Sequence, residues 1–256
     1  MALKDDATIT DYDDSITGYL YIPQRDTVGF WTFLGKYVEC DWKSGERVGD
    51  IEDMSGRWPG IWHQASVDGD PLYKAPIGGM FWHSATEIGV CQPSYFYTVV
   101  EYATGARTQS TQYWEERWPG AVSTDGHWLG YNGAFRRDDK SGDVWMFGSK
   151  EYTRLDWKHG KIQSGYGPFD IHDKFPGIPK DVQVANVVRG PDGDPRFFGT
   201  KGEYLQTKWS SGELVRTVRN MFTEFPGLVG FPGPSAFAAP GTAPPEGRPR
   251  IPHEDT

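Results

Sequence analysis

The sequence predicts an all-β fold, a propeller of four small antiparallel sheets, and three observations carry that prediction. A tetrapeptide of aromatic, proline, glycine and apolar residue recurs four times, at Trp58–Ile61, Trp118–Ala121, Phe175–Ile178 and Phe225–Leu228. Upstream of each, a tyrosine stands eight residues before a glycine: Tyr37 and Gly45, Tyr97 and Gly105, Tyr152 and Gly160, Tyr204 and Gly212. The composition agrees, since 32 Gly and 19 Pro, about a fifth of the 256 residues, accompany 15% aromatic residues, a mixture suited to many short strands joined by tight turns.

The tetrapeptides lie 60, 57 and 50 residues apart, and an aromatic stands three residues before each glycine: Trp42, Tyr102, Trp157 and Trp209. Each unit reads as an inner stretch of small and polar residues, then an aromatic strand (FWTFLG, MFWHS, DVWMFGS, PRFFGT). A strand carrying the tyrosine follows, then a turn at the glycine, a last strand and a short helical turn. The aromatic-Pro-Gly mark stops that helix, because the residue before proline is pushed out of the α region and glycine permits a sharp redirection. Tyrosine and the later aromatic have opposite parity, so both faces of their strand carry large apolar groups. A sheet buried on both faces needs neighbours on both sides, which a radial arrangement of four supplies.

Units of this length with the core DVWMFGSKEYTRLDW, followed by GPFDIHDKFPGIP, resemble the hemopexin-like repeat. The resemblance covers roughly residues 7–229 and implies a hemopexin-like four-bladed propeller with blades near 7–60, 61–120, 121–177 and 178–229. The third and fourth units match best; in the second, ATEIGVCQPS reads as an insertion before Tyr95. The family often ties its first blade to its last with a disulfide. This chain departs from that: Cys40 falls in a blade-one strand and Cys91 in the apparent insertion, so closure must rest on packing and hydrogen bonds. Residues 230–256 hold seven prolines without periodicity and read as an extended or disordered tail.

Charge and motifs narrow the function. Twenty-six Lys and Arg against 35 Asp and Glu leave a net charge of −9, which argues against nucleic acid, whose binders present a basic face. Two cysteines make no disulfide framework, no Asn-x-Ser/Thr site occurs, and no segment is apolar enough for a secretory leader or a membrane span. A cytoplasmic protein is the expectation. No HExxH, Cys-x-x-Cys, Gly-x-Ser-x-Gly or phosphate-binding glycine loop is present, so no side-chain metal site or cofactor is expected. The resemblance leaves room for a cation held in the channel by backbone carbonyls.

In a propeller the innermost strands surround an axial channel, where ligands meet its mouth and adjoining loops. Those strands are expected after each mark, in Trp62–Asp70, Ala121–Trp128 and Val182–Gly190, with the first in ATITDY or SITGYLYI. They supply His63, Gln64, Asp68, Asp125, His127 and Asn186 as candidate ligand-binding residues. Two long loops follow, DPLYKAPIGG and LGYNGAFRRDDKSG, and the second adds Trp128, Tyr131 and Arg136, able to stack on a flat ligand and pair with a carboxylate or enolate. The first expectation is a protein binding a small hydrophobic or aromatic ligand, or a glycan, at the channel mouth. Two alternatives stand beside it. One is an enzyme of secondary metabolism, a cyclase or cycloaddition catalyst holding a reactive molecule in place, with His63, Tyr131 and Arg136 as candidate catalytic residues. The other is a scaffold for protein partners.

Overall fold

The computed structural model describes residues 15–32, 34–62, 77, 79–92, 96–113, 117–118, 133–136, 143–156 and 167–233. They form four four-stranded antiparallel sheets, each a meander in chain order. The first blade holds β1 (Ile16–Ile22), β2 (Thr27–Thr32), β3 (Lys36–Asp41) and β4 (Arg47–Asp53). The second holds β5 (Gly79–Trp82), β6 (Glu87–Gln92), β7 (Phe96–Glu101) and β8 (Arg107–Tyr113). The third holds β9 (Gly133–Arg136), β10 (Val144–Phe147), β11 (Glu151–Leu155) and β12 (Phe169–Asp170), and the fourth β13 (Val184–Arg189), β14 (Pro195–Gly199), β15 (Glu203–Gln206) and β16 (Arg219–Asn220). β1 lies against β5 and β13, and β9 against the same two, so the first strands of the blades surround the axis.

Burial follows the radius. In the first blade β1 is buried at all but one position and β2 throughout, while β4, RVGDIED, is exposed along its whole length. The outer strand therefore meets water, and the apolar strands fill the gaps between blades, as a sheet buried on both faces requires.

The repeated marks form the joints between blades. At Trp58, Phe175 and Phe225 the aromatic of the mark packs on the tyrosine of its own blade and on the aromatic that precedes the turn glycine of the next. Trp58 lies 5.5 Å from Tyr37 and 5.4 Å from Tyr102, and Phe175 lies 6.5 Å from Tyr152 and 5.9 Å from Trp209, centroid to centroid. Phe225 joins the last blade to the first in the same way, 5.6 Å from Tyr204 and 6.4 Å from Trp42. Trp118 meets Tyr97 at 4.7 Å; Trp157 lies outside the described residues. Each such pair adds about 0.5–1.5 kcal/mol beyond the burial of its surface.

Helical turns precede the marks. Asp170 and Asn220 cap two of them, each side chain accepting from the N–H two residues on at 2.8 Å. At Phe175 the backbone leaves the helix, with φ −124° and ψ 67°, as the following proline demands.

Closure uses no disulfide: Cys40 and Cys91 are both free and buried, in separate clusters. Tyr19 and Phe30 of the first blade pack on Phe198 of the last, Arg47 donates to the carbonyl oxygens of Gly227 and Val229, and the N–H of Ile16 donates to Gly233 at 2.6 Å.

Three sequence expectations are corrected. The inner strand of the second blade is Gly79–Trp82, where Trp62–Asp70 was expected; Trp62 ends a helical turn and residues 63–70 lie outside the described residues. The inner strand of the third blade is Gly133–Arg136, inside the expected long loop, whereas 121–128 lie outside the described residues. The apparent insertion before Tyr95 is largely a strand, β6, with Cys91 on it.

The two in the second blade follow from one substitution of roles. β2, β10 and β14 carry the aromatics Phe30 and Trp31, Trp145 and Phe147, Phe197 and Phe198, whereas β6 carries Ile88 and Val90. In the second blade the aromatic comes from the inner strand: Phe81 reaches Tyr97 at 6.0 Å and Trp118 at 6.5 Å. Gly89 leaves it room, since a Cβ there would lie 2.9 Å from the Phe81 ring.

Candidate functional site

The four inner strands run in register toward one mouth. Gly18, Gly79, Gly133 and Asn186 occupy the crowded level nearest the axis. A Cβ on Gly18 would lie 2.8 Å from Ile77, one on Gly79 3.2 Å from the Ala134 backbone, and one on Gly133 2.5 Å from the Val187 nitrogen. Three residues further along each strand stand Tyr21, Trp82, Arg136 and Arg189, all half-buried. There the channel widens into a cavity of about 710 Å³, lined by residues of all four inner strands.

The cavity has an apolar floor and a mixed rim. Leu20, Met80, Phe81, Phe135 and Val188, all buried, line its deeper part. Tyr21, Gln24, Trp82, Arg136 and Arg189 line its mouth. Blade-to-blade hydrogen bonds brace this rim. Trp82 donates its indole N–H to the carbonyl oxygen of Tyr21 at 2.8 Å, Gln24 donates to Ala85 at 3.1 Å, and Arg136 donates to the carbonyl oxygen of His83 at 2.8 Å. Between the last blade and the first, Asn186 donates to the carbonyl oxygen of Thr17 at 3.2 Å, and the Arg196 guanidinium lies 5.5 Å from the centre of the Trp42 ring. Such bracing lowers the cost of ordering the site around a ligand.

Two acids beside the mouth, Asp192 and Asp26, are each held by a cation. Asp192 pairs with Arg196 at 2.7 Å and Asp26 with Lys43 at 3.0 Å. Burial opposes ionisation of Asp192, yet the hydrogen bond and charge of Arg196 hold its pKa below the ordinary carboxylate value. Asp26 is likewise held low by its hydrogen bonds from Lys43 and Tyr21. Burial, then the Asp26 hydrogen bond, push the Tyr21 hydroxyl up to about 12, so it stays protonated and donates to Asp26 at 2.9 Å.

Of the residues picked from the sequence, Arg136 lies on the cavity wall at the end of β9. Asn186 is fully buried on β13, its side chain holding Thr17 and the N–H of Val187. His63, Gln64, Asp68, Asp125, His127, Trp128 and Tyr131 lie outside the described residues. Sequence reasoning missed Tyr21, Trp82 and Arg189. The signal was present in GYLY, GMFW, GAFR and NVVR, the same four-residue step in four places, but it was masked once the inner strands of the middle blades were sought too early in the chain. Among the described residues no three His, Cys, Asp or Glu side chains gather to hold a metal, and no helix is long and apolar enough to cross a membrane.

No protein-family model and no curated protein matches the sequence. Solved structures do resemble the fold. The hemopexin fold protein CP4 from cow pea is 17% identical, with 84% of this chain and 97% of that chain covered at a TM-score of 0.67. A plant lectin with two metal binding sites from Cicer arietinum is 16% identical, with 84% and 97% covered at 0.68. LS24, a seed albumin from Lathyrus sativus, is 15% identical, with 84% and 96% covered at 0.69. Four sheets around one axis, joints built from the repeated marks and this likeness lead to one identification: the chain is a four-bladed β-propeller of the hemopexin-like fold.

Proposed function

We propose that the chain is a small-molecule-binding propeller whose site is the cavity at the channel mouth. One observation carries the reading: all four inner strands end around a single cavity of about 710 Å³ with an apolar floor and a rim of aromatic and cationic side chains. That volume suits a drug-sized ligand, and an apolar enclosure with a few placed polar groups is the usual form of such sites. The likeness to a plant lectin keeps a glycan as a second ligand class. Affinity selection of a small-molecule library, read by mass spectrometry, tests the proposal. A ligand retained by the unmodified protein is expected to be lost in Met80→Trp, which fills the floor, and in Ala85→Trp, which blocks the exposed lip. Retention by both folded variants, or no retained compound at all, sinks it.

A second reading, an enzyme that preorganises a reactive molecule, is favoured by Arg136 and Arg189 beside an apolar enclosure, an arrangement suited to a developing oxyanion. Turnover separates the two: a new product formed from the retained compound, and absent with Arg136→Ala, supports the enzyme, whereas return of the compound unchanged supports binding alone.

A further inference from the structure

We propose that the chain associates with further copies of itself, head to tail, through two outer edges of the propeller: the acidic edge of the first blade on one copy meets the basic edge of the fourth blade on the next. Among the described residues six large apolar side chains are exposed, and four of them lie on these edges: Val48 at 36% and Ile51 at 39% on β4, Val215 at 38% and Val218 at 37% just before β16. They hold equivalent places in the repeat, three and six residues after the turn glycines Gly45 and Gly212. The other two blades place Thr108 and Thr111, and Gln163 and Tyr166, there. The apolar pair therefore belongs to two particular blades, and the repeat itself does not demand it.

Charge separates the two edges. Asp50, Glu52 and Asp53 accompany Val48 and Ile51, whereas Arg216 and Arg219 accompany Val215 and Val218, all of them exposed. Among the described residues the side chains of Asp50 and Arg216 form no hydrogen bond or ion pair within the chain. Charge of one sign on both edges would keep copies apart, a usual defence of an open sheet edge; opposite signs beside the same apolar pair draw them together. Both edges also bulge. Between Glu39 opposite Val48 and Tyr37 opposite Glu52, residues 49–51 face Val38 alone, and between Thr207 opposite Leu214 and Tyr204 opposite Arg219, residues 215–218 span 205–206. A bulged edge is a poor template for a further strand, so side chains make the contact, the apolar pairs at its centre and the charges around it. The two edges belong to neighbouring blades, since β1 lies against β13, and they point in different directions from the axis. Each copy added by one edge therefore leaves the other edge open for the next.

Sedimentation velocity of the full chain at low salt, from micromolar to millimolar concentration, tests the proposal. The mean mass is expected to rise with concentration past that of a dimer. Asp50→Arg and Arg216→Asp, each alone, set like charges face to face and are expected to weaken association about 10- to 100-fold. The double variant, Asp50→Arg with Arg216→Asp, exchanges the two charges and is expected to recover association, which separates the contact from any effect on folding. A monomer throughout overturns the proposal and leaves the two edges to a different protein. A stop at the dimer, association untouched by either single reversal, or a double variant no stronger than the single ones also overturns it.

Discussion

Gly227 donates its backbone N–H to the carbonyl oxygen of Gly45 at 2.9 Å, and this bond between the last blade and the first closes the ring. The same bond recurs from Gly60 to Gly105 at 2.8 Å and from Gly177 to Gly212 at 3.1 Å. In each pair the donor belongs to an aromatic-Pro-Gly mark and the acceptor is the turn glycine of the next blade. The turn glycine has positive φ, and a Cβ on it would meet the carbonyl oxygen just before the mark: 2.0 Å at Gly45, 2.2 Å at Gly105 and 2.0 Å at Gly212. Two repeated sequence features far apart in the chain are therefore the two halves of one contact.

Gly45→Ala is expected to destabilise the protein more than Gly49→Ala, although both glycines have positive φ. At Gly49 φ is +82° and nothing lies within 4 Å of the added carbon, so only the backbone preference is lost, about 1 kcal/mol. At Gly45 the carbon collides with Glu224 and Phe225 backbone atoms, and overpacking adds about 1–3 kcal/mol. Urea unfolding of both variants measures the difference, and equal losses would show that the joint yields without cost.

Glu39 is the polar centre of the joint between the first and second blades. It is buried, and its carboxylate accepts from Arg25 at 3.0 Å, Thr27 at 3.0 Å, Tyr102 at 3.1 Å and the Tyr37 hydroxyl. Tyr102 is the one position of its kind occupied by tyrosine, where the other blades carry Trp42, Trp157 and Trp209, and its hydroxyl reaches across to this carboxylate. Replacing Glu39 with Gln puts an amide N–H₂ among hydroxyl and guanidinium donors and is expected to cost about 1–3 kcal/mol. Tyr102→Phe is expected to cost about 0.5–1.5 kcal/mol, and the double variant less than the sum. Simple additivity in the cycle would show that the two groups do not act together.

What the sequence disclosed and what it hid have a common physical cause. The three described blade joints make the same demand, a backbone at positive φ pressed on a Pro-Gly step and two aromatics around a third, so Gly45, Trp58 and their equivalents repeat. The second blade moves its aromatic from β6 to Phe81 on β5, which satisfies the packing while displacing the pattern by a strand. Ligand-facing positions are under no joint constraint, and Tyr21, Trp82, Arg136 and Arg189 differ from blade to blade. Only the glycines before three of them, needed because the strands crowd at the axis, mark where the mouth begins.

Acid is expected to weaken the fold through His83 before the carboxylates contribute. His83 sits half-buried after β5, its Nδ1 2.8 Å from the Tyr97 hydroxyl and its carbonyl oxygen accepting from Arg136. Burial lowers its pKa from the ordinary 6.5; Glu87 pulls upward, and the charges of Arg117 and Arg136 push down again. The unfolded chain therefore binds the proton more readily, and stability falls as pH drops through about 6.5, levelling once the folded group is also protonated. Asp26, Glu87 and Asp192 have pKa values held below their ordinary ones, so the stability that they contribute is lost only at lower pH, near and below 4.5. Denaturation midpoints for the unmodified protein and His83→Gln should converge as pH falls from about 7.5 to about 5. A constant offset between them would remove His83 as the source.

Asn186 occupies the axial level that glycine fills in the other three blades, and its amide does what a glycine there would leave undone. Its Nδ2 donates to Thr17 at 3.2 Å, tying β13 to β1, and its Oδ1 accepts from the N–H of Val187 at 2.8 Å, next to a bulge in the β13–β14 register. Gly133 makes space for it: a Cβ there would stand 2.8 Å from that oxygen. Asn186→Gly matches the other blades yet strands two buried backbone groups, and is expected to cost about 1–3 kcal/mol in urea unfolding. Arg189 lies three residues further along the same strand, so the substitution separates two roles for the amide. If Asn186 serves closure, stability falls while affinity for a compound retained in the cavity holds. Loss of that affinity with stability unchanged would place Asn186 in the ligand site itself and remove it from the closure.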